Sequence, residues 1–139
     1  MTGNYTLEIL GSKEEDLLKW DEFVDQCERG SFFHLSGWKQ VVEQVFKHKS
    51  HFVYALQDGS IVGVLPLVEQ KSLLFGHSLV STPFCVYGGV AADSDDVMLF
   101  LEDKAIEIAK REAALAEEKR VDEIAERIAN IKSLAQNMI

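Results

Sequence analysis

Apolar and polar residues alternate from Tyr5 to Leu10 and the alternation stops at Gly11, which predicts a first strand over 5–10. Ser12, with Glu15 three residues on, has the spacing of a capping box, so a helix is expected to open there. Leu17, Trp20, Val24 and Cys27 then recur at three-four spacing, the buried stripe of an amphipathic helix, and Gly30 closes the segment. Trp20 on that stripe reads as core packing. A second helix is predicted over 36–47, with Leu35, Trp38, Val42 and Val45 facing inward. Two apolar runs follow, over 52–56 and 61–68, with Asp58-Gly59 between them. That dipeptide predicts a hairpin, because a tight turn demands positive φ and glycine accepts it. Pro66 has no N–H to give to a ladder, so the second run is expected at an edge or a bulge. A short strand over 77–81 and an irregular segment over 82–89 come next. Asp93 or Ser94 then caps a third helix, and Asp95 and Asp96 suit its positive first turn.

Residues 97–139 contain no Gly or Pro and are rich in Ala, Glu, Lys, Ile and Leu, so one long helix is expected. Val121, Ile124, Ile128, Ile131, Ala135 and Met138 fall on a heptad seam, shorter than a free-standing coiled coil needs. Such a seam packs against its own domain or against another copy, which makes a homo-oligomer through residues 121–138 one expectation. The predicted class is α/β of the α+β kind: a mixed, mostly antiparallel sheet flanked by helices, with a long C-terminal helix. The predicted organisation is a domain over 1–111 and a helical extension over 112–139.

Composition narrows the picture. A chain of 139 residues, 47% hydrophobic and 27% charged, can bury a real core without a disulfide or metal staple. Cys27 and Cys85 are far apart and form no C-x-x-C pair, which suits a reducing, cytoplasmic setting. The first residues show neither the basic nor the apolar region of a secretion signal, and the apolar run over 61–68 is too short to cross a bilayer. A formal net charge of −9 argues against nucleic-acid binding by this chain. The acidity lies in the first helix and the C-terminal third, and the middle is nearly neutral.

Three blocks now stand in order: Ser31-Phe32-Phe33-His34-Leu35-Ser36-Gly37-Trp38-Lys39, Asp58-Gly59-Ser60-Ile61-Val62-Gly63-Val64-Leu65-Pro66-Leu67, and Leu73-Leu74-Phe75-Gly76 through Ser81-Thr82-Pro83-Phe84-Cys85-Val86-Tyr87-Gly88-Gly89. They resemble the N-terminal half of Fem-type aminoacyltransferases. The third block is similar to the Fem-like proteins found alongside exopolysaccharide and exosortase systems in Gram-negative bacteria. The resemblance covers residues 18–111. It implies a GNAT-like domain and transfer of an aminoacyl or acyl group to an amine, in cell-wall or exopolysaccharide metabolism. Family members have two such halves. Here an acidic helix stands where the family would give a further strand and the second half. The chain is therefore expected to be truncated, to hold the acceptor side only, and not to catalyse alone.

The resemblance suggests substrate-binding residues, and each has a plainer reading. Lys39 follows Trp38 where related ligases place a cation for an anionic acceptor, but a solvated helix lysine is the commoner case. His34 is either a pocket donor or a buried, capping histidine. Thr82, Phe84, Tyr87 and Gly88 either wall an acceptor pocket or form a structural turn stiffened by Pro83. The acceptor implied is an anionic cell-wall or polysaccharide precursor. No cofactor is expected: Asp93, Asp95 and Asp96 crowd the place where a CoA pyrophosphate would need a helix N-terminus. No metal is expected either, since His48 and His51 have no carboxylate or thiol near them in sequence. Nothing positions a base for Cys85 as a nucleophile, so no catalytic residue is assigned.

Overall fold

The computed structural model describes residues 3–69, 84–86 and 89–138. In chain order these form strand β1 (Thr6–Ile9), helix α1 (Glu14–Gln26), a 3-10 turn (Phe32–His34) and helix α2 (Gly37–Gln44). Strands β2 (Lys49–Gln57), β3 (Ser60–Glu69), β4 (Phe84–Val86) and β5 (Ala91–Ala92) follow, then helix α3 (Asp95–Asn137). The fold is mixed α+β. The described strands pair antiparallel in the order β1-β2-β3-β4, and β5 also pairs with β3. The strand expected over 77–81 lies outside the described residues. Within the segment expected to be irregular, Phe84–Val86 is a strand.

The hairpin forms as the Asp-Gly pair predicts. Gln57 pairs with Ser60, and Asp58 (φ 52) and Gly59 (φ 80) both take the left-handed conformation of a tight two-residue turn. Just beyond it Ala55 faces Gly63 while Leu56 faces Ile61, so Val62 is the extra residue of a bulge.

β3 is a central strand, which corrects the expectation drawn from Pro66. The Phe52 carbonyl accepts a hydrogen bond from the Leu10 amide at 2.7 Å, so the Phe52 backbone points toward β1. Pro66 sits directly opposite Phe52, and its nitrogen therefore points away from β2. On that far side β5 pairs with Gly63 and Val64, and β4 with Leu67, Val68 and Glu69. Pro66 falls in the interval between them, where among the described residues no strand pairs with it on that side.

Helices cover both faces of the sheet, which explains why residues 61–68 read as a continuous apolar run instead of an alternation. On one face Phe52, Val64 and Val68 pack with Leu10, Trp20, Val24 and Val42. On the other, a Cβ placed on Gly63 would lie 2.5 Å from Val97 Cγ1 and 2.9 Å from Leu101 Cδ1. The first turns of α3 thus approach β3 so closely that any side chain at position 63 would force Val97 and Leu101 to shift.

Two helix ends depart from the sequence pattern. The Ser12–Glu15 box does not form: α1 starts behind Lys13, which makes no side-chain cap, and Glu14, Glu15 and Asp16 supply negative charge to its first turn. α2 stops at Gln44, and Val45 is 68% exposed where a buried stripe had been expected. The chain turns away through Lys47 at φ 56, and the His48 amide bonds back to the Val42 carbonyl at 3.0 Å. Ser94 does cap α3, accepting the Val97 amide at 3.3 Å, with Asp95 and Asp96 in the first turn.

The chain divides into two compact units, residues 1–106 and 107–139. The sequence had suggested a boundary after residue 111. The first unit holds the sheet, α1, α2 and the first turns of α3. The second is helical through Asn137, and its side chains from residue 113 to 138 are exposed.

Candidate functional site

The segment from Ser31 to Lys39 is held in place from several directions. The Ser31 hydroxyl accepts the Phe33 amide at 3.3 Å, and the Ser31 amide donates to His34 Nδ1 at 3.0 Å, a reciprocal cap around the 3-10 turn. Because Nδ1 accepts from an N–H, the ring proton belongs on Nε2, which donates to the Gly89 carbonyl at 3.0 Å. The Trp20 indole donates to the His34 carbonyl at 2.6 Å. Asp21, one residue along α1, accepts from both the Ser36 amide and the Ser36 hydroxyl at 2.7 Å, which satisfies an amide at the start of α2. His34 is fully buried, with both ring nitrogens engaged.

The outer face of this segment is aromatic. Phe32 is 66% exposed and Phe33 50%. Phe33 stacks on Trp38 at 5.9 Å and 27°, and Phe32 meets both rings edge-on at 5.7 and 5.6 Å. The Trp38 indole donates to the Phe32 carbonyl at 3.0 Å, which fixes the ring. Beside the trio a cavity of about 340 Å³ opens between the end of α1 and the turn, lined by Val24, Cys27, Ser31, Phe32 and Leu35 among others.

Lys39 lies at the edge of this surface and is already paired. Its Nζ is 2.8 Å from Glu43 Oε1, with the lysine side chain 18% exposed, and the Ser50 hydroxyl donates to the same oxygen. Burial pushes the Glu43 carboxyl up, but the hydrogen bonds from Lys39 and Ser50, with the Lys39 charge, outweigh it and leave the group below its ordinary 4.5. A carboxyl lowered on folding contributes stability above its unfolded value and loses it as pH falls through the folded one. Glu43→Gln is therefore expected to lower the melting temperature slightly at pH 7, the difference fading as the pH falls through the lowered folded pKa. The side chain is 40% exposed, so solvent screening keeps the effect small. A difference that persists undiminished in acid would show that the ion pair is not its source.

The structure therefore brings His34, Trp38 and Lys39 into one block and ties it, through His34, to Gly89 at the end of the 82–89 segment. Of the other residues suggested by sequence, Phe84 has its backbone in β4, opposite Glu69. Thr82, Tyr87 and Gly88 lie outside the described residues. Sequence reasoning missed the exposure of Phe32 and Phe33, although Ser-Phe-Phe-His is itself a capping pattern that puts adjacent phenylalanines on one short turn. It also missed Glu69. Lys49 stands opposite Glu69 in the β2–β3 register, so His51, two residues on, shares its face, and Glu69 Oε2 comes 3.7 Å from His51 Nε2. His48 turns elsewhere, stacking on Phe46 at 6.3 Å and 9°. With Lys47, Lys49 and Glu69 it lines a cavity of about 160 Å³.

No family model, curated protein or solved structure matches the chain.

Proposed function

We propose that the N-terminal unit is the acceptor-binding half of a Fem-like aminoacyl or acyl transferase serving cell-wall or exopolysaccharide metabolism in the cytoplasm, inactive without its donor-binding half. The observation that carries this reading is the hydrogen bond from His34 to Gly89. It joins two of the three sequence blocks that resemble the family, the Ser31–Lys39 stretch and the end of the Thr82–Gly89 stretch. The element order β1-α1-α2-β2-β3-β4-β5-α3, in which the short β4 and β5 both pair with β3, also fits the opening of a GNAT-like domain.

In this reading the acceptor lies against Phe32, Phe33 and Trp38, and the resemblance adds Thr82, Phe84, Tyr87 and Gly88 to its contacts. An anionic group on the acceptor reaches Lys39 only by drawing it from Glu43, so binding competes with an ion pair already formed. Asp95 and Asp96 in the first turn of α3 repel the phosphates of CoA, which leaves the donor to another half or another chain.

The test is a calorimetric titration of the chain with a nucleotide-linked amino-sugar peptide precursor, alongside transfer assays with acyl-CoA and aminoacyl-tRNA panels. Saturable acceptor binding without turnover is expected. Phe33→Ala should weaken it roughly tenfold, the ~1.4 kcal/mol of a lost aromatic contact. Turnover by the chain alone, or no acceptor binding, overturns the reading.

A further inference from the structure

The helix of the second unit carries an apolar stripe that it leaves open. Val121, Ile124, Ile128, Ile131, Ala135 and Met138 recur at alternating steps of three and four, and the five larger side chains are 49–86% exposed. A seam of this spacing buries itself by setting its side chains into the holes of a facing helix. Val121, Ile128 and Ala135 are then the a positions and Ile124, Ile131 and Met138 the d positions. Arg120, Arg127 and Leu134 flank the seam on the g side, and Ala125 and Lys132 on the e side.

These flanks discriminate between the two ways of pairing the helix with a copy of itself. In a parallel pair each g side chain meets the e side chain five residues later on the other helix. That sets Arg127 against Lys132 of the second copy, like charges repeated on both sides of the contact. In an antiparallel pair g meets g and e meets e. Arg127 then lays its aliphatic stem over Leu134, and Ala125 sits beside Lys132, with no like-charged pair. The layers also fit: Val121 meets Met138, Ile124 meets Ala135, and Ile128 meets Ile131, so large residues oppose small ones away from the centre.

We propose that residues 121–138 form an antiparallel two-helix contact with a second copy of this chain, its two-fold axis between the Ile128 and Ile131 layers. The contact is only about 27 Å long, so association depends on protein concentration. It stands apart from the transferase reading and survives or fails without it.

Sedimentation equilibrium of the full chain over a concentration series should show a monomer–dimer equilibrium. Ile128→Asp should shift it to monomer while the N-terminal unit stays folded, with Trp20 still shielded from acrylamide, since residue 128 is 49% exposed and lies outside that unit. Orientation is read by mixing Val121→Cys and Met138→Cys chains under mild oxidation and mapping the cross-links by peptide mass spectrometry, which keeps Cys27 and Cys85 apart from the new sites. Links between positions 121 and 138 are expected. Links of 138 to 138 or 121 to 121, a higher oligomer, a monomer at every concentration, or unfolding of Ile128→Asp would each overturn the proposal.

Discussion

Replacing Trp20 with alanine is expected to remove about 3–5 kcal/mol of stability, the largest effect of any single truncation in the N-terminal unit. The indole is fully buried, stacks on Phe52 at 5.6 Å and 24°, and meets Tyr54 edge-on at 6.1 Å. It also donates to the His34 carbonyl, so its loss leaves both a cavity and a buried acceptor without a partner. Domains of this size hold about 5–15 kcal/mol in all, so the variant should lose much of its margin in a urea titration. Trp20→Phe separates the two contributions. It keeps most of the ring volume and gives up the N–H, and should cost about 1–3 kcal/mol. If both variants unfold at the wild-type midpoint, the α1–sheet contact is not the core of this domain.

The second large effect is expected at His34. His34→Ala should cost about 2–5 kcal/mol, because it empties the space of a fully buried ring and takes the partner from two part-buried backbone groups at once, the Ser31 amide and the Gly89 carbonyl. The loss has a local signature as well. Hydrogen exchange at the Ser31 amide should accelerate well beyond the change in global stability, since that N–H donates to the ring itself. An unchanged exchange rate at Ser31 would mean that the cap is not held by His34. The same substitution cuts the hydrogen bond that ties the Ser31–Lys39 stretch to Gly89, so the acceptor binding proposed above should weaken even at temperatures where the variant is folded.

What the sequence made legible follows a physical divide. The Asp58-Gly59 turn, the strands around it, the stripe with Trp20 and the Ser94 cap were readable because each rests on residues a few positions apart. The errors sit where a competing local signal or a distant partner decided the outcome. Ser12 has a capping spacing, but three acidic residues after Lys13 start α1 one residue later than that spacing requires. Val45 continues the stripe of α2 in sequence, yet the helix ends before it because Lys47 turns the chain into β2. Pro66 suggested an edge, and only the register opposite Phe52 shows how a central strand tolerates it. The candidate site divides in the same way. Trp38, Lys39 and His34 could be named from one short stretch. The reach of His34 to Gly89 spans 55 residues, and Glu69 beside His51 depends on strand register, and neither distance is written in local spacing.

The two tryptophans differ in setting, which makes them separate optical reporters. Trp20 is sealed from water and stacked on Phe52, so it emits at the blue end and stays out of reach of a dissolved quencher such as acrylamide. Trp38 is half-buried at the rim beside Phe33, where a quencher can touch it. A ligand laid on the aromatic trio shields the accessible fraction and leaves the blue component alone. Unfolding abolishes the blue component first of all. The unmodified chain thus distinguishes, in one spectrum, occupation of its surface from loss of its core.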